Sequence, residues 1–301
     1  MSALIDRGRG LVGCVLKSIG MPIPVACWAD DRTAATSRFG LARHADRELR
    51  PVAQDESSDR ALDGRVAIVT GAAGGLGTAI WRSLQAAGAS VVPVDLHGDG
   101  CLIADVSTAA GNRSMVAAAL QRHGRLDILI LNAGAQAMNP IASYREKDWD
   151  RLMDLMAKGP FLAMKFAWPH LTRQPGGRII VISSTAGLLG VPFKAAYVAA
   201  KHAVIGLTKV AALEGAAKGL TANAVAPGWM DTPLLDGQIG QHVSLRGLRR
   251  DQVIATMVAE QPAERFVDTA EVAALVTFLA SSAASAISGT CIPVDTGAMA
   301  T

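Results

Sequence analysis

The sequence predicts an α/β fold, a doubly wound parallel sheet in a single domain, from three observations. Short apolar runs alternate with helical stretches from Arg65 almost to the C-terminus. The runs are continuously apolar, as expected of strands buried on both faces. A glycine-rich turn, Thr70-Gly71-Ala72-Ala73-Gly74-Gly75-Leu76-Gly77, joins the first run to the first helix.

Taken in order, Val66-Ala67-Ile68-Val69 is the first strand, and a helix follows from Leu76 to Ala87, ended by Gly88. Ser90 to Val94 is the second strand and closes on Asp95. Further strands are expected at Asp127 to Leu131, Arg178 to Ile182, Thr221 to Val225 and Ser288 to Val294, with helices at about 112–123, 146–170, 196–218 and 270–281. Such alternation argues a doubly wound sheet. Between Asp95 and Asp105 the chain is too short for a crossover helix, so a loop is expected there.

Residues 1–60 differ. They mix Arg with Asp and Glu, lack periodicity, and end in Gln54-Asp55-Glu56-Ser57-Ser58-Asp59. They read as a poorly ordered extension. A targeting segment, a partner-binding segment and a start codon assigned too early stay open as alternatives.

Bulk composition excludes several classes. A net charge of +3 over 301 residues, with no concentrated basic face, argues against nucleic acid. The four cysteines, Cys14, Cys27, Cys101 and Cys291, form no Cys-x-x-Cys pair, and the six histidines show no metal-ligand spacing. Neither a metal site nor a disulfide framework is expected. No run reads as a membrane span; Leu11 to Ala29 comes nearest and is broken by Lys17, glycines and prolines. A cytoplasmic location is expected, because the chemistry below needs a cytosolic dinucleotide.

That chemistry starts at Tyr197 and Lys201, four residues apart and so on one helix face, with Ser184 upstream. A free phenol titrates near ~10, and a neighbouring cation favours its phenolate. Ser184 can hold a carbonyl or hydroxyl oxygen while Tyr197 moves the proton, a site for interconverting an alcohol and a ketone. The glycine-rich turn lets backbone approach a pyrophosphate at a helix N-terminus. Asp95 stands where an acid accepts hydrogen bonds from both adenosine ribose hydroxyls and repels a 2′-phosphate, which favours NAD over NADP. A solvated strand-end carboxylate is the competing reading.

From about residue 62 to the C-terminus the chain resembles the short-chain dehydrogenases/reductases, of Rossmann-type fold. The glycine turn, Asp105-Val106, Asn132-Ala133-Gly134, Ser184, Tyr197-x-x-x-Lys201 and Pro227-Gly228 follow the order of that family's motifs. The resemblance implies that Gly71, Gly75, Leu76 and Gly77 face the cofactor and that Asp105 and Val106 lie against its adenine. It places Asn132, Ala133 and Gly134 at the sheet edge beside the cofactor. It gives Lys201 the nicotinamide ribose, and Thr232, after Pro227 and Gly228, the carboxamide. Ser184, Tyr197 and Lys201 are then catalytic. One departure stands out: Met156 occupies the position of the family's catalytic Asn, which holds a water linking the Lys to solvent, and a thioether is only a weak acceptor.

Within the family, the C-terminal half is most similar to 3-hydroxybutyrate dehydrogenases. That resemblance implies a carboxylate grip of Gln136, Lys194 and Gln238, covered by Trp229 in a lid spanning about 229–262; a solvated loop lysine is the competing reading of Lys194. It also has departures. Ala186 replaces a substrate-contacting His, and the helix after Asp95 is missing. Arg246, Arg249 and Arg250 in the lid either greet an anion or form a solvated face.

The expected activity is hydride transfer between NAD and a small 3-hydroxy acid. Two alternatives accompany it: another secondary alcohol (a sugar, a steroid-like ring or a 3-oxoacyl thioester), or an NAD-binding protein of weak catalysis on account of Met156. The expected partners are a small-molecule substrate and further copies of the chain, as a homotetramer through the helices at about 146–170 and 196–218, with neither nucleic acid nor membrane.

Overall fold

The computed structural model describes residues 60–300. Seven parallel strands form one sheet: β1 (Val66–Thr70), β2 (Ser90–Asp95), β3 (Leu102–Ile103), β4 (Ile128–Leu131), β5 (Arg178–Ile182), β6 (Thr221–Pro227) and β7 (Cys291–Val294), in the order β3-β2-β1-β4-β5-β6-β7. Strand order reverses between β1 and β4, where such sheets open a ligand crevice at their carboxyl ends.

Alternation within each apolar run explains why both faces are covered. Ile68, Leu129 and Ile179 are in register across β1, β4 and β5. They point into one core, with Met115 and Val116 of α2 (Ala109–His123), Ala163 and Met164 of α4 (Gly159–Leu171) and Val204 of α5 (Ala195–Gly215). Their neighbours Ala67, Val69, Ile128, Ile130 and Ile180 point into the opposite core, with Ile80 and Leu84 of α1 (Gly75–Ala86) and Val272 and Val276 of α8 (Thr269–Ala280). Fully burying one such side chain stabilises by roughly 1.5–3 kcal/mol, so these two layers carry the fold.

Three features differ from the sequence reading. The expected loop after Asp95 contains β3, a two-residue strand that adds an edge to the sheet without a crossover helix. The helix expected over 146–170 is α3 (Glu146–Met153), a π-helical turn over Asp154–Lys158, then α4. Gly159 explains the tightness there, since a Cβ on it would lie 2.6 Å from the Val106 carbonyl oxygen. Finally, Ala195–Lys218 is long and apolar enough by length and composition to cross a bilayer. In the fold it is a core helix, with Ala200, Val204 and Ala211 buried. The extension expected over residues 1–60 lies, but for Arg60, outside the described residues.

The segment after β6 leaves the sheet and returns. It carries α6 (Pro233–Arg246) and α7 (Arg250–Ala259), which pack on each other through Leu235, Ile239, Val253 and Met257, a small core of their own.

Candidate active site

A cavity of about 660 Å³ lies over the carboxyl ends of the strands, lined on one side by the first and second βα turns and on the other by α6 and α7. Gly71 adopts φ 67, a left-handed conformation that favours glycine, and a Cβ there would come within 2.8 Å of Ala133 Cα. The turn is thus pressed against the end of β4. Asn132 holds it: its side-chain Nδ2 donates to the Thr70 and Gly71 carbonyls, each at 3.0 Å, and its backbone N–H donates to Thr70 Oγ1.

Gly75, Leu76, Gly77, Ala133 and Gly134 line the cavity beside Gly71. The first turn of α1 has neither a side-chain cap nor an acidic residue, and Gly74 and Gly75 are exposed. Bare backbone N–H groups at a helix start fit a pyrophosphate. Asp95 closes the rim: one carboxylate oxygen accepts from the Ala73 N–H at 2.9 Å and the other from Leu96 N–H at 2.7 Å. Asp105, whose Oδ1 accepts from the Ser107 N–H and hydroxyl, and the buried Val106 also line it, as do Pro227, Gly228 and Thr232 on the far side. These residues fit a dinucleotide.

Ser184, Tyr197 and Lys201 meet in the same cavity. Ser184 stands two residues beyond β5 in an extended conformation, and its Oγ accepts from Ala186 N–H at 3.2 Å. Lys201 is buried; its ammonium donates to the Ile182 carbonyl at 2.7 Å and stands 5.6 Å from the Tyr197 ring centroid. Burial lowers its pKa to about 8. The expectation that Lys201 pulls the phenol down is not met in this geometry. Burial holds Tyr197 above its ordinary value, with only the neighbouring Ser184 hydroxyl acting the other way. Desolvation penalises the phenolate, and the ammonium is engaged by a backbone carbonyl rather than by the phenol oxygen.

Met156 sits in the π-helical turn, 1% exposed. A Cβ built on Gly134 would lie 3.5 Å from its sulfur and 3.9 Å from Lys201 Nζ, so both flank Gly134.

Of the acid grip, Lys194, Gln238 and Trp229 converge. Lys194 is 3% exposed, donates to Gln238 Oε1 at 2.8 Å, and lies 4.4 Å from the Trp229 ring centroid and 5.9 Å from that of Tyr197. Burial first, then Arg246, lowers its pKa to about 8, against the pull of Glu260. Gln136 does not join them: it is not among the residues lining the cavity, and its amide is buried with neither atom hydrogen-bonded.

Glu260 and His242 escaped the sequence reading. Glu260 accepts from the Trp229 indole N–H at 2.8 Å, and Gln261 donates to the Trp229 carbonyl at 3.3 Å, so the end of α7 fixes the covering ring. His242 reaches the cavity one turn after Gln238 on α6; that four-residue spacing was the available signal.

A family model described as enoyl-(acyl carrier protein) reductase matches residues 71–299. The chain is 39% identical over 250 residues to the uncharacterized oxidoreductase YxjF of Bacillus subtilis, covering 77% of this chain and 97% of that one. It is 36% identical over 252 residues to a D-beta-hydroxybutyrate dehydrogenase of Rhizobium meliloti, covering 77% and 98%. A solved structure of an aldohexose dehydrogenase from Thermoplasma acidophilum aligns with TM-score 0.76 at 34% identity, over 80% of this chain and 96% of that chain.

Proposed function

Because the chain belongs to the short-chain dehydrogenase/reductase family, oxidoreductases of secondary alcohols and ketones with a nicotinamide cofactor, we propose that it transfers hydride between NAD and a small 3-hydroxy acid. The nicotinamide, when bound, supplies the hydride chemistry. The chain's own residues position and move a proton. Ser184 holds the substrate oxygen, and Tyr197 gives it a proton in ketone reduction or takes one in alcohol oxidation. A phenol held above its ordinary pKa is protonated at neutral pH. Reduction of the ketone takes up a proton and oxidation of the alcohol releases one, so a higher pH favours oxidation.

The observation that carries the acid reading is Lys194. A lysine buried beside Tyr197, with one protein acceptor and an aromatic cover, suits a carboxylate at one end of a substrate whose carbinol faces Tyr197. The 3-hydroxybutyrate name of a relative at 36% identity supports the same substrate class. NAD over NADP is supported by the Asp95 carboxylate at the rim, fixed by two backbone N–H groups where a 2′-phosphate would be repelled. A second reading, a bulkier secondary alcohol, draws on the small Ala186 and on the apolar Leu248, Val253 and Met257 among the cavity walls.

One assay separates them: reduced dinucleotide formed from NAD or NADP with 3-hydroxybutyrate, a sugar and a steroid alcohol, using wild type and Tyr197→Phe. The expected result is highest kcat/KM with NAD and 3-hydroxybutyrate, and a kcat about 10²–10⁴ lower for Tyr197→Phe. Turnover of a bulky alcohol with none of 3-hydroxybutyrate supports the second reading. Dinucleotide binding without any turnover leaves a weakly catalytic binding protein. We also propose self-association into a homotetramer, since Phe161 on α4 and Val210 and Leu213 on α5 are exposed large apolar side chains, Leu213 to 81%. Sedimentation of the full chain as a monomer alone would remove it.

A further inference from the structure

The proton-transfer chemistry leaves one buried imidazole of the cavity unused. His242 is 4% exposed and lines the cavity, and neither ring nitrogen has a hydrogen-bond partner among the described residues. A buried polar group left without a partner costs about 1–3 kcal/mol, so such a group calls for a partner within the cavity. Its place on the lid is specific. It follows Gln238 by one turn of α6, on the same face, and Gln238 accepts from Lys194. The imidazole meets Trp229 edge-on, with centroids 6.4 Å apart and planes inclined at 70°.

Two cations, Lys194 and Arg246, act on the imidazole, while the Glu260 carboxylate of the same wall accepts from the Trp229 indole. Burial, then Lys194 and Arg246, hold the imidazole at about 4, so at neutral pH it is uncharged and carries one N–H donor. Two cations around a neutral donor match an anion. A substrate with only hydroxyls in that place leaves the Lys194 charge with a single amide partner.

We propose that His242 is a specificity-determining residue, its ring N–H donating to the carboxylate of the substrate beside the Lys194 ammonium. This rests on the hydroxy-acid reading above. It adds that α6, part of the cover over the cavity, also takes part in gripping the carboxylate through Gln238 and His242, beside Lys194 at the start of α5.

The test compares 3-hydroxybutyrate with its methyl ester in wild type, His242→Phe and His242→Gln, at saturating NAD. Inhibition by butyrate, which has the carboxylate and no alcohol, is measured alongside. In His242→Phe the acid-over-ester preference is expected to fall at least about tenfold, the size of one lost hydrogen bond to a charged group. The loss appears in KM rather than kcat, and butyrate inhibition weakens in parallel. His242→Gln, which retains an N–H donor, recovers most of the preference, a rescue that a packing role would not give. If wild type prefers the acid while both variants keep that preference and butyrate inhibition is unchanged, the role of His242 is overturned and the acid reading stands. If wild type treats acid and ester alike, the acid reading fails and the role of His242 falls with it. Should His242→Phe not fold, butyrate inhibition of His242→Gln against His242→Leu decides the same point.

Discussion

The floor and the roof of the cavity are built by opposite means. The floor is main chain: the turn after β1, the ends of β4 and β5, and an asparagine bonded to backbone carbonyls, all continuous with the two sheet cores. The roof is side chain: Gln238 and His242 on α6 and Trp229 held by Glu260, on a pair of helices with a small core of their own. A floor that recognises through backbone serves any substrate of one cofactor class. A roof that recognises through side chains can change substrate without disturbing the sheet.

Breaking the floor has the largest expected effect. A Cβ on Gly77 would stand 2.0 Å from the Gly71 carbonyl oxygen, so Gly77→Ala forces the turn and α1 apart. Overpacking of this kind costs typically about 1–3 kcal/mol, and here it falls on the phosphate-facing turn itself. Loss of dinucleotide binding and a lowered Tm are expected, read by NADH fluorescence titration and thermal melting. Gly75→Ala is the contrast. Its Cβ meets Thr232 Cγ2 at 3.4 Å, Pro233 Cδ at 3.5 Å and Thr232 Cβ at 3.6 Å. Its Tm is expected to stay close to wild type while dinucleotide affinity falls, because a methyl group occupies the approach to the bare backbone. Equal losses of Tm in both variants would make the floor's glycines structural alone.

The same division decides what the sequence revealed. β1 was legible because Val66-Ala67-Ile68-Val69 is apolar on both faces and ends in glycines. The Tyr197–Lys201 pair was legible because four-residue spacing on a helix is a local rule, whereas the phenol's raised pKa depends on tertiary burial that no spacing encodes. β3 is two residues long and pairs only with β2, so it leaves no periodic trace. The π-helical turn is a shift of hydrogen-bond register around Gly159, invisible in hydropathy. Lys194, which meets the roof at Gln238 from the start of α5, was found through its nearness to Tyr197 in sequence, but Glu260 reaches Trp229 from 31 residues away. Gln136 was assigned to the grip from resemblance, and the chain after β4 turns its amide into protein rather than into the cavity.

Breaking the contact that reaches the roof from below, Lys194 to Gln238, is expected to cost one substrate class and spare the cofactor turn. Lys194→Met keeps an unbranched side chain and removes the charge. For 3-hydroxybutyrate, kcat/KM is expected to fall by about 10–100-fold, the worth of one buried charged contact, with NAD affinity unchanged. The pH dependence follows from the depressed pKa. Lys194 loses its proton near 8 rather than at the ordinary lysine value, so the cation proposed to hold the acid is present below 8 and lost above it. The KM for the acid therefore rises as pH passes through about 8, while that for a neutral secondary alcohol does not. A KM for the acid that stays flat well above 8 would take Lys194 out of the grip.

The smallest expected effect lies where floor and roof chemistry join, at Met156. Its sulfur and the Lys201 ammonium flank Gly134, and Lys201 is the group next to the proton-moving phenol. A thioether accepts hydrogen bonds weakly, so the Met156 side chain holds a water against the ammonium less well than an amide would. Met156→Asn supplies an amide at the same turn. The site is 1% exposed, so an amide left unpaired there costs stability of about 1–3 kcal/mol. A lower Tm is therefore expected together with a kcat raised a few-fold and an unchanged KM for the acid. That pairing is diagnostic, because a purely structural change lowers Tm without raising kcat. A kcat that holds steady or falls would mean the proton leaves Tyr197 by a route that does not pass the Lys201 side of Gly134, and that the sulfur in the π-helical turn serves packing alone.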